Sequence, residues 1–327
     1  MIWKLSWEGL KQRVNRGWRL AGISLGAAVL LAGCQSENPM DYLPKVSGGY
    51  MGMNATSFRE SAGLKRLNDT MGKLQPGAQN LQSEKARSMI MGFDTPVNPR
   101  TAPPVYGVAL GDAGFADELV AQYKSAGAQQ GRMAGHTTYT SGPVSIAPIG
   151  KTGVLIFQSE SSLERMVNVS KKKEEGARGS ASFNWVNSEL PNHAVVMAGA
   201  AQPLTEMGGP LLTTLNATDP KAGEALRHAT MISLTFDWKD HPVVDLKLHV
   251  PSKSDAEALA RTANQYLQLA KGLPVLEASP AFKAVLQPLK AHAEEDGVEL
   301  TVNVPADVAD QVFSHLEAGA AMQGQQQ

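Results

Sequence analysis

The sequence predicts an α+β protein made of two similar tandem domains, each a mainly antiparallel sheet with helices packed on one face. Three observations carry this prediction. Apolar and polar side chains alternate along segments near residues 231–250 and 298–304, as in strands. Apolar residues elsewhere recur at helical spacing, for example Leu259, Ala263, Tyr266, Ala270 and Leu273. The order of predicted elements also begins again near His193, which indicates an internal repeat.

The first predicted domain covers residues 46–188. Strands are expected at 48–53, 88–94, 105–110, 136–140, 144–149, 154–157 and 181–187, with a loop at 127–135. Helices are expected after Asn54, through Leu64, Leu67, Met71 and Leu74, at 115–123 and from Ser159. The charged run Lys171–Gly176 indicates a solvated helix end and loop.

The second predicted domain covers residues 190–320. Its strands are expected at 193–199, 231–238, 243–250 and 298–304, and its last helix is expected to bury Val308, Val312 and Leu316. Tyr50–Met53 then corresponds to Val195–Ala198 in the repeat. Residues 34–45, with two prolines, are expected to form a tether, and residues 321–327 a disordered tail.

The strands 231–238 and 243–250 are predicted to form a hairpin around Asp240. Pairing Trp238 with Pro242 leaves a three-residue loop and avoids placing Asp237 opposite Asp245, where like charges repel. Phe236 and Leu246 are then expected to face the helix 259–273. Thr235 is expected on the solvated face of the sheet.

The first 33 residues have the pattern of an export signal. Residues 1–19 carry five basic side chains against one acid, Glu8, and an apolar run follows that is too short to cross a bilayer comfortably. A basic start, a short apolar core and a small-residue exit are typical of a secretory signal peptide.

The end of that run, Leu31-Ala32-Gly33-Cys34, resembles the lipobox of bacterial lipoproteins. The resemblance implies that Cys34 receives acyl chains, such as palmitate, and becomes the first residue of the mature chain. Acyl chains of this kind hold a protein stably at a membrane. Gln35 differs from the Asp that favours inner-membrane retention in such lipoproteins, so the resemblance favours the outer membrane, with the protein facing the periplasm or the cell surface.

Composition and motifs exclude several classes of function. A formal net charge of −1 argues against nucleic-acid binding and against a polybasic membrane patch. Cys34 is the only cysteine, so no disulfide joins the mature chain. The sequence contains no HExxH, GxSxG or GxGxxG motif. It therefore predicts no catalytic residue, no metal site and no cofactor, and it favours a non-catalytic protein over an enzyme.

The polar side of the predicted hairpin and last strand is the candidate binding face. Its members are Thr235, Asp237, Asp245, Lys247, His249, Glu299 and Thr301. The sequence thus favours a lipid-anchored binding or scaffolding protein of the bacterial envelope, whose partner is an envelope protein or a cell-wall component. The alternative is an envelope hydrolase whose site is assembled from scattered residues.

Overall fold

Every strand in the described part of the chain belongs to one antiparallel sheet of twelve. The structure is a computed structural model that describes residues 38–66, 69, 83–95, 103–202, 209–273 and 279–314. The strand order is β11-β12-β10-β9-β8-β1-β2-β3-β7-β6-β5-β4. The bounds are β1 Gly49–Asn54, β2 Ala86–Phe93, β3 Val105–Gly111, β4 Gln129–Met133, β5 His136–Ser141, β6 Val144–Ile149, β7 Gly153–Phe157, β8 Val195–Ala200, β9 Met231–Trp238, β10 Pro242–His249, β11 Ala291–Ala293 and β12 Gly297–Asn303.

Helices connect these strands and cover the sheet. Their bounds are α1 Ala55–Glu60, α2 Phe115–Ser125, α3 Glu160–Ser170, α4 Ala181–Glu189, α5 Gly209–Thr218, α6 Pro220–Arg227, α7 Lys253–Lys271 and α8 Pro280–Leu286. Residues 62–66 and 306–314 are also helical. No helix within the described ranges combines the length and apolar character that a bilayer crossing requires.

Strand β1 joins the two parts of the sheet. It pairs with β2 on one side and with β8 on the other, where Tyr50 lies opposite Ala198. A Cβ atom on Gly49 would lie 2.5 Å from the Ala198 carbonyl oxygen, so only glycine allows this close approach. Residues from Pro39 onward form one compact unit. The α+β class is therefore confirmed, but two separate tandem domains, 46–188 and 190–320, are not, because hydrogen bonds run across the boundary between them.

Helices lie on both faces of the first part of the sheet, not on one face as we expected. Leu155 and Phe157 of β7 belong to one buried cluster with Leu163 of α3. Val154 and Ile156 belong to another, with Phe115 and Leu119 of α2. All five residues of β7 are buried. A strand covered on both faces is continuously apolar rather than alternating, as β7 is.

Two assignments in the first part were wrong. Residues 181–187, expected as a strand, lie in helix α4, whose Phe183 and Val186 are three residues apart and pack beside β1 and β8. Residues 127–135, expected as a loop, contain β4, which pairs with β5. Ala134 and Gly135 join these strands with φ values of 46° and 87°. Positive φ at both central residues is typical of a tight hairpin turn.

Residues 39–45, assigned to the tether, belong to the fold. Pro39–Tyr42 form a 3₁₀ turn, and Tyr42 and Leu43 are buried. The backbone N–H of Lys45 donates to Glu175 O at 3.0 Å, and that of Ala177 donates to Leu43 O at 2.8 Å. The apolar side chains in this segment explain its packing. The predicted positions Leu67, Met71, Leu74 and Leu316, and the tail 321–327, lie outside the described residues.

The predicted hairpin register is confirmed, since Trp238 pairs with Pro242. Its expected packing partner was wrong. Phe236 packs beside Phe58 and Leu64, not against α7. Leu248 rather than Leu246 lies in the cluster that contains α7 residues.

The ends of two helices are more exposed than expected. The predicted α7 stripe is buried at Leu259. Its later members Tyr266 and Leu273 are exposed, at 41% and 52%. In the helix 306–314, Val308 is buried whereas Val312 is exposed, because Phe313 fills the inward position and lies 5.0 Å from the Trp238 ring.

Candidate functional site

The residues predicted as a binding face lie together on adjacent strands. We call this surface the polar face and define it as Thr235 and Asp237 of β9, Asp245, Lys247 and His249 of β10, and Glu299 and Thr301 of β12. Antiparallel pairing aligns them, because residues opposite one another project to the same side. The large packed helix α7 lies on the opposite side, with Leu248 and Val298.

The first row of the polar face is centred on Asp245. Asp245 lies opposite Thr235 on one neighbouring strand and Thr301 on the other. The Thr301 hydroxyl donates to Asp245 Oδ1 at 2.6 Å, and the Thr235 hydroxyl donates to Oδ2 at 3.4 Å. Thr235 is buried, at 8% exposure, so our expectation that it is solvated was wrong. Its hydroxyl is compatible with burial because it donates a hydrogen bond to the carboxylate of Asp245.

The second row is centred on Lys247, which bridges to the loop after β11. Its Nζ lies 2.7 Å from Asp296 Oδ1 and 3.3 Å from Glu294 Oε2. Burial opposes the charged ammonium, but the hydrogen bonds that it donates to Asp296 and Glu294 outweigh this effect and raise the pKa of Lys247. The same lysine lowers the pKa of Asp296. This ion pair fixes the Glu294–Asp296 loop over the edge of the polar face.

Glu299, beside Lys247 on β12, has a raised pKa. Partial burial is the main cause, and the negative charges of Glu294 and Asp245 add to it. The carboxylates of this region therefore outnumber the cations that neutralise them. A partner that presents cationic or hydrogen-bond-donating groups would relieve this repulsion.

The third row contains His249, which is half-buried. Its Nε2 atom is 2.8 Å from Ser233 Oγ, and its Nδ1 atom is 3.8 Å from Asp296 Oδ2. Trp185 of α4 presents its ring to the imidazole, with 6.2 Å between centroids. Burial lowers the pKa of His249, and the nearby Lys247 lowers it further. His249 is consequently neutral in most of the molecules at neutral pH.

Asp237 stands apart from these rows, at the end of β9. Its Oδ2 atom lies 2.6 Å from His193 Nδ1, and its Oδ1 atom accepts the backbone N–H of Ala194 at 2.8 Å. These contacts fix the segment that enters β8. Asp237 is thus held in a structural role by His193 and the backbone of Ala194.

Sequence reasoning missed several side chains that shape this surface: Trp185, His193, Ser233, Glu294 and Asp296. The alternation along β9 already predicts that Ser233 lies on the same side as Thr235, although Ser233 was not counted among the binding residues. The others come from a helix and two loops that reach the sheet only in three dimensions. No group of three histidine, cysteine or carboxylate side chains in the described ranges is arranged to hold a metal ion.

Comparison with known proteins gives no family. No protein-family model matches the chain, and no curated protein matches it. Among solved structures, the chain is similar to TP0453 in crystal form IV, with a TM-score of 0.48, 10% identity, and coverage of 86% of this chain and 97% of that one. Crystal form I of TP0453 gives a TM-score of 0.46, 11% identity, and coverage of 87% and 98%.

Proposed function

We propose that this protein is a lipid-anchored binding protein of the bacterial envelope that engages its partner through the polar face. The lipobox-like sequence at Cys34 supports the anchor and favours the outer membrane. The observation that carries the binding role is the row of charged and hydroxylated side chains across β9, β10 and β12, held in fixed geometry by mutual hydrogen bonds. Preorganised polar groups bind a partner at little cost in side-chain entropy.

The chemistry of the polar face suggests which partners fit. Its carboxylates exceed its cations, and Thr301 and Lys247, which are partly exposed, can form hydrogen bonds with a ligand. A peptide or cell-wall segment that carries amino or amide groups would match this pattern. The polar face lies across three paired strands, an arrangement that suits a macromolecular partner better than an enclosed small molecule.

The anchor is tested by mass spectrometry of the protein purified from envelopes. We expect an acylated N-terminal Cys34, and Cys34→Ser should abolish both acylation and cleavage. A free thiol at Cys34 in the envelope fraction would refute the lipoprotein proposal.

The polar face is tested by photo-crosslinking in intact cells. A photoreactive residue at exposed Asn303, at the end of β12, should capture a specific envelope component. The same residue at exposed Leu269 on α7 is the control for random collision. Capture should weaken when Lys247→Gln removes the charge that holds the Glu294–Asp296 loop. Equal capture at both positions, or capture insensitive to Lys247→Gln, would contradict the proposal.

One observation favours the alternative of a hydrolase. His249 lies between Ser233 and Asp296, as the base lies between the nucleophile and the orienting acid in a serine hydrolase. Two features argue against it. Ser233 is only 2% exposed, and it lies within β9 between paired strands, where its backbone N–H is used in the sheet and cannot stabilise an oxyanion.

A fluorophosphonate probe separates these alternatives. A hydrolase would be labelled, and Ser233→Ala would abolish the labelling. The binding proposal predicts no labelling at Ser233 in the folded protein.

A further inference from the structure

We infer that three consecutive lysines, Lys171, Lys172 and Lys173, form a contact surface for anionic lipid headgroups. We call this segment the lysine turn. The inference rests on the proposed function, since it concerns how a lipid-anchored protein sits on its membrane. The observations that carry it are the exposure of the lysines, the pairing of the nearby acids, and the link between this turn and the start of the fold.

The lysine turn projects from the end of helix α3. All three lysines are exposed. Lys172 has a φ of 58°, and its backbone N–H donates to Val169 O, while that of Lys173 donates to Asn168 O, each at 2.8 Å. These bonds fix the backbone in a tight turn. None of the three side chains makes an ion pair with any residue that the structure describes.

The two acids that follow the lysines do not neutralise them. Glu174 Oε2 lies 3.3 Å from Arg165 Nε, and Glu174 Oε1 accepts from Asn168. Glu175 Oε1 lies 3.0 Å from Lys45 Nζ. Both carboxylates are thus engaged with partners in the body of the protein. The near-neutral net charge of the whole chain therefore conceals a local excess of positive charge.

The lysine turn is connected to the first part of the fold. Residues 175–178 run beside residues 41–45, through the Lys45–Glu175 and Ala177–Leu43 hydrogen bonds. Arg178 also pairs with Asp41 at 2.8 Å. Pro39 follows Cys34 by five residues, and five extended residues reach at most about 18 Å. An anchor at Cys34 would keep this region within reach of the bilayer, so that the lysines can approach to the distance of about 8–10 Å over which its surface potential acts.

Charge complementarity favours an anionic lipid surface as the partner. A lysine close to such a surface strengthens attachment about fivefold, so three lysines would contribute about a hundredfold. Lysines at a helix end also interact favourably with the helix dipole. That effect explains a single lysine in the last turn but not three exposed lysines beyond it.

The first test reproduces the anchor chemically. Residues 34–327 include every residue that the structure describes, and Cys34 is the only cysteine, so the unacylated protein can be coupled there to a maleimide lipid in vesicles. Lysine acetylation, read by mass spectrometry, then reports which side chains contact the membrane. We expect Lys171–Lys173 to react several-fold more slowly on vesicles that contain phosphatidylglycerol than on phosphatidylcholine alone. High salt should restore their reactivity.

Exposed lysines elsewhere supply the control within the same sample. Lys253, Lys283 and Lys290 should react equally on both vesicles. Equal reactivity of Lys171–Lys173 on both vesicles, or equal protection of the control lysines, would overturn the inference. Native acylation of Cys34 is measured separately, so a protein without acylation refutes the proposed function while this chemically anchored sample still decides the role of the lysine turn.

A second test uses charge variants of the soluble chain lacking residues 1–34. The triple substitution Lys171→Gln, Lys172→Asn and Lys173→Gln should lower the binding constant for phosphatidylglycerol vesicles about a hundredfold at low salt, as measured by co-sedimentation. Asn is chosen at position 172 because it tolerates positive φ. The control variant, Lys253→Gln with Lys283→Gln and Lys290→Gln, has the same net charge and should bind nearly as the parent does. Equal losses in both variants would overturn the inference, as would stronger binding to soluble polyphosphate than to vesicles.

Discussion

Thr235 shows how one side chain on the polar face differs from a merely solvated residue. Alternation along β9 correctly assigns it to the side opposite Phe236. Its burial, however, is decided by its neighbours. The Thr235 hydroxyl donates a hydrogen bond to Asp245, and Ser233, two residues away on the same strand, forms a hydrogen bond with His249. The polar face is therefore packed and hydrogen-bonded at Thr235, whereas its members on β10 and β12 are partly exposed.

Thr235→Val tests this packing. The substitution keeps the shape of the side chain but removes the donor to Asp245, so it should lower the free energy of unfolding by about 1 kcal/mol. Urea denaturation of the soluble chain measures the change. The matched control is Thr137→Val, an exposed threonine on β5, which should change stability by less than about 0.5 kcal/mol. Equal effects of the two variants would show that Thr235 is solvated.

Glu299 gives a prediction about pH. Burial, together with Glu294 and Asp245, raises its pKa in the folded state above the unfolded value. Its contribution to stability is therefore fully present below the unfolded pKa and is lost as pH rises through the folded pKa. Glu299→Gln removes this loss, so the variant should be more stable than the parent at pH 7, and the difference should shrink toward about pH 4.

Thermal unfolding at a series of pH values measures the effect. Glu295→Gln, an exposed neighbour in the loop after β11, is the control for a change of net charge. If Glu299→Gln destabilises the protein at pH 7, the carboxylate of Glu299 is a net stabilising partner of Lys247 instead.

At the scale of elements, the hairpin and the helices follow different rules. The register of β9 and β10 is set by local charge pairing and turn length, which are properties of the sequence. The packing partners of Phe236, by contrast, come from a distant part of the chain. Phe236 packs against Phe58 and Leu64, which are more than a hundred residues away in the chain. The apolar spacing of α7 predicts a helix, but not the length over which its stripe is covered.

Phe236→Ala should lower the free energy of unfolding by roughly 2–4 kcal/mol, somewhat below the cost of truncating a fully buried aromatic side chain. Leu269→Ala, on the exposed end of α7, should cost less than about 0.5 kcal/mol. Urea denaturation of both variants measures these two losses in the free energy of unfolding. A larger loss for Leu269 would mean that α7 is covered along its whole length by a neighbour.

At the scale of the whole molecule, β1 makes the sheet continuous. Its pairing with both β2 and β8 means that neither part of the sheet is complete without it. Separate domains would unfold independently, whereas a sheet that shares its central strand should unfold cooperatively.

Gly199→Val tests this continuity. A Cβ atom at position 199 would lie 2.6 Å from the Gly48 carbonyl oxygen, so the strands must move apart. Overpacking of this kind costs about 1–3 kcal/mol. We expect one transition at a lower midpoint, with tryptophan fluorescence and far-ultraviolet circular dichroism coinciding. Two separate transitions would show that the parts fold independently. Gly131→Val, on the exposed edge strand β4, is the control for loss of a glycine in a strand.

The sequence by itself determined the features that depend on neighbours along the chain. These are the α+β class, the alternation of β9, β10 and β12, and the hairpin register. It also gives the lipobox-like site at Cys34, whose acylation stays a prediction. Each depends on periodicity, turn geometry or side chains a few residues apart.

Only the tertiary structure decided how these elements combine. Pairing of β1 with β8 creates one sheet where the order of elements predicted two. The exposed edge of a strand can pair with any strand that tertiary packing places beside it. Helix α4 forms where aromatic residues predicted a strand, because Phe183 and Val186 bury one helical face beside β1 and β8. The polar face likewise gains Trp185, His193 and Asp296 from distant segments. Contacts between residues far apart in the chain leave no periodic pattern, so only the folded molecule reveals them.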